Sequence, residues 1–253
     1  MARIVWLFSL ARSGSSVSVY AAAAPFGHAV ADEVMGPWDR TGEPYHYPKL
    51  QAELVRAYQA AERRLTPEVV QLAHEVHDQI AERTGSDVVI SKWPHLRPEP
   101  SEWRRAFPES PAVYLIRNPL HRLNSFYRRG WLDSSGPNFD LARFTQFARW
   151  WVEQSNRVSY DDLKRDPAAF FRRVWAAWGF AHDEGHVDQA LSYMRSHYHD
   201  SSLKLSDRST DAVMSESGWA LPAEAVRANL DDPFVGPFMQ EQGWSVDPAD
   251  YGA

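Results

Sequence analysis

Residues 9–17 of the chain read SLARSGSSV and follow the apolar run IVWLF directly. In a parallel α/β sheet, the first strand-to-helix turn is a favoured place for an anion, because N–H groups at the helix start point toward it. The planar fork of Arg12 matches two oxygens of a phosphate or sulfate. The amides that this turn would present belong to Ser13, Gly14, Ser15 and Ser16. The alternative is a serine-capped helix that binds nothing, and the stretch alone does not decide between them.

A second basic cluster lies in the stretch YLIRNPLHRLNSFYRRGW, residues 114–131. Arg117 would lie at the carboxyl edge of the sheet, Pro119 would begin a helix, and Ser125 would follow roughly 9 Å along it. An arginine and a hydroxyl placed in this way can hold opposite sides of one phosphate. Arg122 shares a helix face with Ser125 and would make the cluster more basic. The alternative is a solvent-exposed basic helix start.

The hydrophobic pattern predicts the elements that would position these residues. Short β-branched and aromatic runs indicate buried parallel strands at 4–8, 88–91 and 112–116, with an edge-like strand at 158–160. Helical patterns fall at 15–24, 50–62, 67–83, 120–131, 140–155, 167–178 and 186–195. Strands that alternate with helices predict an α/β, three-layer, P-loop-type fold with a central parallel sheet of about four to five strands flanked by helices. We expect a single domain over residues 1–253.

Composition restricts the classes of partner. The 253 residues carry a formal net charge of −6, which gives no general attraction to nucleic acid or to an anionic membrane. The absence of cysteine excludes disulfides and thiolate chemistry. The apolar run near the N-terminus is too short for a membrane span and is interrupted before a signal-peptide pattern is complete. We therefore expect a cytoplasmic protein without nucleic-acid or membrane partners, and a homodimer is one possible assembly.

Several histidine pairs have spacings that would allow a metal site. They are His74 with His77, His182 with His186, and His197 with His199. None of them has the H-E-x-x-H pattern, and no cysteine supports them. We interpret them as residues of exposed helix faces and expect no metal.

The two basic clusters together are similar to motifs of the sulfotransferases that use 3′-phosphoadenosine-5′-phosphosulfate. ARSGSS resembles the family's first phosphate loop, and Arg117 with Ser125 in R-N-P-x-H-R-x-N-S resembles its R-x7-S pair. VSYDDLKRDPAAFFRRVWAAWGF, residues 158–180, resembles the family's Y-E-D-L-x-x-D-P segment. ISKWPHL, residues 90–96, is similar to its lysine-threonine-histidine segment.

The resemblance implies a donor, a product and roles for residues. The loop at Arg12, Ser13, Gly14, Ser15 and Ser16 would hold the 5′-phosphosulfate, and Arg117 and Ser125 would hold the 3′-phosphate. The product would be adenosine 3′,5′-bisphosphate. Arg12 would also stabilise charge on the sulfuryl group, and Lys92 would assist the leaving group. The acceptor would be a small molecule or sugar with a hydroxyl, or an amine.

Two residues compete for the role of general base. His95 corresponds to the family's histidine if Lys92 corresponds to its lysine, although the spacing is one residue longer. Glu33 lies after the first helix, where bacterial and carbohydrate members carry a glutamate, and Arg12 resembles that branch. We favour Glu33 slightly over His95.

The sequence also departs from the family pattern. Val17 stands where a tryptophan often contacts adenine, and Lys204 and Arg208 are only substitutes for a glycine-rich C-terminal phosphate loop. A nucleotide or small-molecule kinase is an alternative, but its loop pattern requires glycine at position 9 and lysine at position 15, where this chain has serines. The other alternative is a nucleotide-binding module of the same fold without turnover.

Overall fold

A parallel five-stranded sheet forms the centre of the fold. The computed structural model describes residues 1–35, 48–96, 99–128, 140–196 and 219–253. The strands are β1 (Arg3–Ser9), β2 (Ala29–Asp32), β3 (Val88–Trp93), β4 (Ala112–Ile116) and β5 (Arg157–Ser159). Their order across the sheet is β2-β3-β1-β4-β5, and every neighbouring pair is parallel.

Helices connect and cover the strands. They are α1 (Ser15–Ala23), α2 (Pro48–Ala60), α3 (Pro67–Thr84), α4 (Pro100–Ala106), α5 (Pro119–Tyr127), α6 (Leu141–Val152), α7 (Tyr160–Arg165), α8 (Pro167–Trp178), α9 (Glu184–Ser196), α10 (Ala223–Leu230) and α11 (Val235–Glu241). Short 3₁₀ turns lie at Ala24–Phe26 and Pro248–Tyr251. Among the described residues, no helix combines the length and the apolar character needed to cross a bilayer.

The central strand β1 is apolar on both faces because it lies between two helical layers. Trp6 and Phe8 pack into one core with residues of α3, α4 and α6. Val5 and Leu7 pack into the other core with residues of α1, α8 and α9. The sheet therefore has a helical layer on each face, and the predicted three-layer α/β fold with a parallel sheet is confirmed.

The pattern missed one strand and some of the shorter helices. β2 has only four residues, AVAD, and forms an edge of the sheet next to β3. A strand of four residues is too short to show a clear alternation of apolar and polar residues. The pairing of β2 with β3 is seen only in the structure. The predicted edge strand is present as β5 at the opposite edge.

Helix caps explain why several elements begin where they do. Asn118 accepts hydrogen bonds from the amides of Leu120 and His121 at the start of α5. The Ser159 hydroxyl accepts from the Asp162 amide, and the Asp162 carboxylate accepts from the Ser159 amide, which completes a capping box at α7. These caps set the ends of β4 and β5 and so fix the residues that follow them at the carboxyl edge of the sheet.

Candidate functional site

The loop between β1 and α1 has two residues in the left-handed region of backbone space. Arg12 has φ 69° and Gly14 has φ 83°, and Gly14 is the N-cap residue of α1. The amide of Ser13 donates to the carbonyl of Leu10 across 3.2 Å, so this amide closes the turn and is not an open donor as expected from the sequence. The first turn of α1, which begins at Ser15, supplies amides that have no acceptor within the helix.

Gly14 is required by its backbone angle and also by a close neighbour. A Cβ built at this position would lie 2.2 Å from two ring atoms of Tyr160, the first residue of α7. The guanidinium of Arg117 lies over the same ring, with Cζ 4.7 Å from the centroid. The ring of Tyr160 therefore packs against both the loop between β1 and α1 and the guanidinium of Arg117.

Two arginines hold consecutive carbonyl groups of this loop. Arg117 donates from Nη1 to the carbonyl of Arg12 at 3.1 Å, and Arg122 donates from Nη1 to the carbonyl of Ala11 at 2.8 Å. Hydrogen bonds from charged donors are stronger than neutral ones. They offset the cost of about 1 kcal/mol of holding an arginine in the left-handed region.

The side chain of Arg12 joins the loop to helix α5. Its Nε donates to the hydroxyl of Ser125 at 3.0 Å. The structure thus brings together Arg12, Arg117 and Ser125, which the sequence places in two separate motifs. Guanidinium groups, a hydroxyl and helix N-terminal amides are the donor set that proteins use for phosphate and sulfate oxygens. This arrangement fits a phosphorylated ligand.

Arg122 does not extend the anion site as the sequence suggested. Its side chain is buried and pairs with Asp140, the residue that precedes α6. Burial, together with repulsion from Arg143, Arg117 and Arg12, lowers the pKa of Arg122 to about 9. At neutral pH the group keeps its charge, and it ties the start of α6 to the loop carbonyl of Ala11.

A second polar group lies at the end of β3. The Lys92 ammonium contacts the Asp32 carboxylate at 2.7 Å, the Ser16 hydroxyl at 2.9 Å and the Glu33 carboxylate at 3.4 Å. The Lys92 side chain is 3% exposed, so these contacts lie in an environment with little water. Through Ser16, in the first turn of α1, this group adjoins the anion site.

The two candidate bases are neighbours. Glu33 has φ 59°, and its amide donates to the carbonyl of Lys92 at 3.2 Å. Its Oε2 lies 3.5 Å from Nε2 of His95, while its Oε1 faces Lys92. The ring of His95 also packs edge-on against Trp93, with centroids 4.8 Å apart. The carboxylate and the imidazole that compete in the sequence therefore face each other across 3.5 Å.

Sequence reasoning missed Asp32, and it did not assign a role to Tyr160. Asp32 ends the short strand that the hydrophobic pattern does not mark. Tyr160 lies in the segment 158–180, which resembles a family motif. Lys204 and Arg208 lie outside the described residues, as do His197 and His199.

The described ranges contain no group of three or more side chains placed to hold a metal ion. His77 is fully buried, so its predicted place on an exposed helix face is wrong.

Solved structures with a similar fold include sulfotransferase domains. The domain from the Synechococcus PCC 7002 olefin synthase has a TM-score of 0.53 and 17% identity, with 96% of each chain covered. The domain from the curacin biosynthetic pathway has a TM-score of 0.53 and 13% identity, with 98% of this chain and 99% of that chain covered. No protein-family model matches the sequence, and no curated protein sequence matches it significantly. The chain has the α/β fold of sulfotransferase domains.

Proposed function

We propose that this chain is a sulfotransferase that moves a sulfuryl group from 3′-phosphoadenosine-5′-phosphosulfate to a hydroxyl or amine of a small-molecule or sugar acceptor. The observation that supports this most directly is the meeting of Arg12, Arg117 and Ser125 at the start of α1. A donor with phosphate groups at both its 3′ and 5′ positions needs two anion-binding groups close together. Here the loop after β1 and the segment from Arg117 to Ser125, which ends in α5, supply both.

The residues divide between the two ends of the donor. Arg117 and Ser125 would bind the 3′-phosphate, and Arg12 with the first-turn amides of Ser15 and Ser16 would bind the 5′ end. Gly14 allows the backbone to approach the ligand closely. When bound, the donor supplies an electrophilic sulfur whose bond to the bridging oxygen breaks as a bond to the acceptor oxygen or nitrogen forms. Arg12 would stabilise the negative charge at this centre.

The acceptor must lose a proton during transfer, and the His95–Glu33 contact can accept it. A base is often oriented by a third group, and in this arrangement Glu33 faces Nε2 of His95 and leaves Nδ1 to take the proton. The same contact also allows Glu33 to act as the base with His95 as its partner. Lys92, which contacts Ser16 and both carboxylates, would stabilise the leaving group from the loop side.

A ligand-induced shift in melting temperature tests the donor. At 100 times its dissociation constant a ligand adds about 2.7 kcal/mol, which raises the melting temperature of a chain of this size by roughly 5–10 °C. We expect this shift with adenosine 3′,5′-bisphosphate in the absence of magnesium, and little shift with ATP and magnesium. The opposite pattern would contradict the proposal and favour a kinase.

Turnover separates an enzyme from a binding module. Purified protein is incubated with the donor and a library of hydroxyl and amine acceptors, and the release of bisphosphate is measured. Acceptor-dependent release supports a sulfotransferase. Bisphosphate binding without transfer to any acceptor would instead support a nucleotide-binding module of the same fold.

A further inference from the structure

Asp32 makes the closest contact with the buried ammonium of Lys92. The two residues are register partners in the neighbouring strands β2 and β3, and Oδ1 of Asp32 lies 2.7 Å from Nζ. The exposed fraction of the Asp32 side chain is 10%, so water screens this pair weakly. The proposed chemistry gives a role to Lys92, to Glu33 and to His95, but none to Asp32.

The ammonium of Lys92 has three N–H donors and meets three oxygens. Asp32 and Ser16 lie at hydrogen-bond distances of 2.7 and 2.9 Å, whereas the Glu33 carboxylate is farther away at 3.4 Å. Asp32 therefore supplies the main counter-charge to Lys92. Glu33 is the weaker partner of the same ammonium.

Glu33 lies between a cation and an imidazole at nearly equal distances. Its Oε1 is 3.4 Å from Lys92, and its Oε2 is 3.5 Å from His95. Successive residues of a strand point to opposite faces, but the left-handed backbone of Glu33 turns its carboxylate toward the ammonium that Asp32 already contacts. Two carboxylates thus face one ammonium, and the second of them, Glu33, also faces His95.

We propose that Asp32 is a positioning residue, which neutralises Lys92 so that the Glu33 carboxylate stays directed at His95. This inference rests on the proposed function, because it gives the His95–Glu33 contact its purpose as the proton acceptor. Without the Asp32 charge, Glu33 is the only carboxylate among the described residues that still contacts Lys92, and it moves onto the ammonium. The contact with His95 is then lost, although neither base has been altered.

A crystal structure of Asp32→Asn tests this movement without any acceptor or donor. Asparagine keeps the size of the side chain and removes its charge. We expect the distance from Glu33 to Lys92 to shorten to about 2.8 Å, typical of a charged hydrogen bond, and the distance from Glu33 to His95 to lengthen. A Glu33 side chain that keeps both of its distances would overturn the inference.

The double variant Asp32→Asn with Lys92→Met removes both the negative charge of Asp32 and the positive charge of Lys92. In this variant the Lys92 ammonium no longer attracts Glu33, and we expect the contact of Glu33 with His95 to remain. Loss of the contact in the double variant would overturn the inference. This arm decides the question even if Asp32→Asn alone does not fold.

Kinetics supply the functional arm. We expect Asp32→Asn to lower kcat by roughly tenfold with the donor KM unchanged, and to cause no further loss in the Lys92→Met background. An equal loss in both backgrounds would show that Asp32 does not act through Lys92. Asp188→Asn, the same change on an exposed position of α9, is the matched control.

If the unaltered protein fails to bind bisphosphate, the proposed function fails. The crystal structures of Asp32→Asn and of the double variant still decide the role of Asp32.

Discussion

Arg12 donates a hydrogen bond from Nε to the hydroxyl of Ser125, 113 positions away in the sequence, across 3.0 Å. The carbonyl of the same Arg12 accepts from Arg117 at 3.1 Å. One residue of the loop after β1 is thus bonded to both members of the second motif. The two motifs are therefore joined directly by hydrogen bonds.

Substitution of Arg117 should weaken ligand binding and leave the protein folded, although it removes the hydrogen bond to the Arg12 carbonyl. Removing a charge-assisted hydrogen bond costs about 1.5–3 kcal/mol, so Arg117→Ala should lower the affinity for adenosine 3′,5′-bisphosphate by roughly 10- to 150-fold. Titration calorimetry measures the affinity. Arg172→Ala is the control, because Arg172 lies on α8 in an exposed pair with Glu184. An unchanged affinity of Arg117→Ala would remove this residue from the site.

Gly14 should not tolerate even a methyl group. Alanine at this position would have an unfavourable positive φ, and its Cβ would lie 2.2 Å from the Tyr160 ring. Together these two effects should lower the free energy of unfolding by roughly 2–4 kcal/mol. Gly27 has φ 62° with nothing within 4 Å of its Cβ position, so Gly27→Ala measures the backbone cost alone. Thermal denaturation of both variants gives the difference. Equal losses of stability would mean that the Tyr160 ring moves aside without cost.

Two substitutions should separate the roles in the His95–Glu33 contact. General bases contribute roughly 10²- to 10⁴-fold, so the variant that lacks the base should lose that much in kcat and keep its bisphosphate affinity. Although the sequence slightly favours Glu33, we expect this loss for His95→Ala, because Glu33 already faces the Lys92 ammonium and can orient the His95 ring. Glu33→Gln should then lower kcat less. A larger loss in Glu33→Gln than in His95→Ala would assign the base to Glu33.

The parts of the site that follow long apolar strands were predictable from the sequence. Arg12 and Arg117 stand directly after two buried runs, and the carboxyl ends of neighbouring parallel strands meet at one edge of the sheet. The sheet order β3-β1-β4 then places both motifs side by side. Strand, turn and helix signals are local, so a single sequence carries them.

The parts that depend on contacts across the sheet were not predictable. The Asp32–Lys92 pair requires the register of β2 against β3, and no local pattern reports a register between strands 60 positions apart. The burial of Arg122 likewise depends on Asp140, which precedes another helix, α6. For the same reason, sequence spacing assigned Arg122 to the anion site and His77 to an exposed face. Both errors arise because spacing along a helix does not reveal what packs against it.

The buried His77 predicts how the stability of this protein depends on pH. Burial lowers the pKa of His77 to about 4 from its usual 6.5. Both ring nitrogens are in contact with polar groups: Nδ1 lies 2.6 Å from the Ala73 carbonyl, and Nε2 lies 3.0 Å from the Ser91 hydroxyl. The unfolded chain therefore binds a proton near pH 6.5 that the native state does not bind until about pH 4. Stability should be lost as the pH falls through this window, by roughly 3 kcal/mol in total from this residue.

Replacement of the buried imidazole isolates this contribution. In His77→Gln, the fall in unfolding free energy between pH 6.5 and pH 4 should be smaller than in the unaltered protein by roughly the same 3 kcal/mol, whatever the substitution costs at neutral pH. Urea denaturation at a series of pH values measures both curves. His182→Gln, a half-buried position after α8, is the control for the loss of one histidine. Parallel curves for His77→Gln and the unaltered protein would show that a group other than His77 sets the acid limit of stability, because only a proton bound differently by the two states can change the slope.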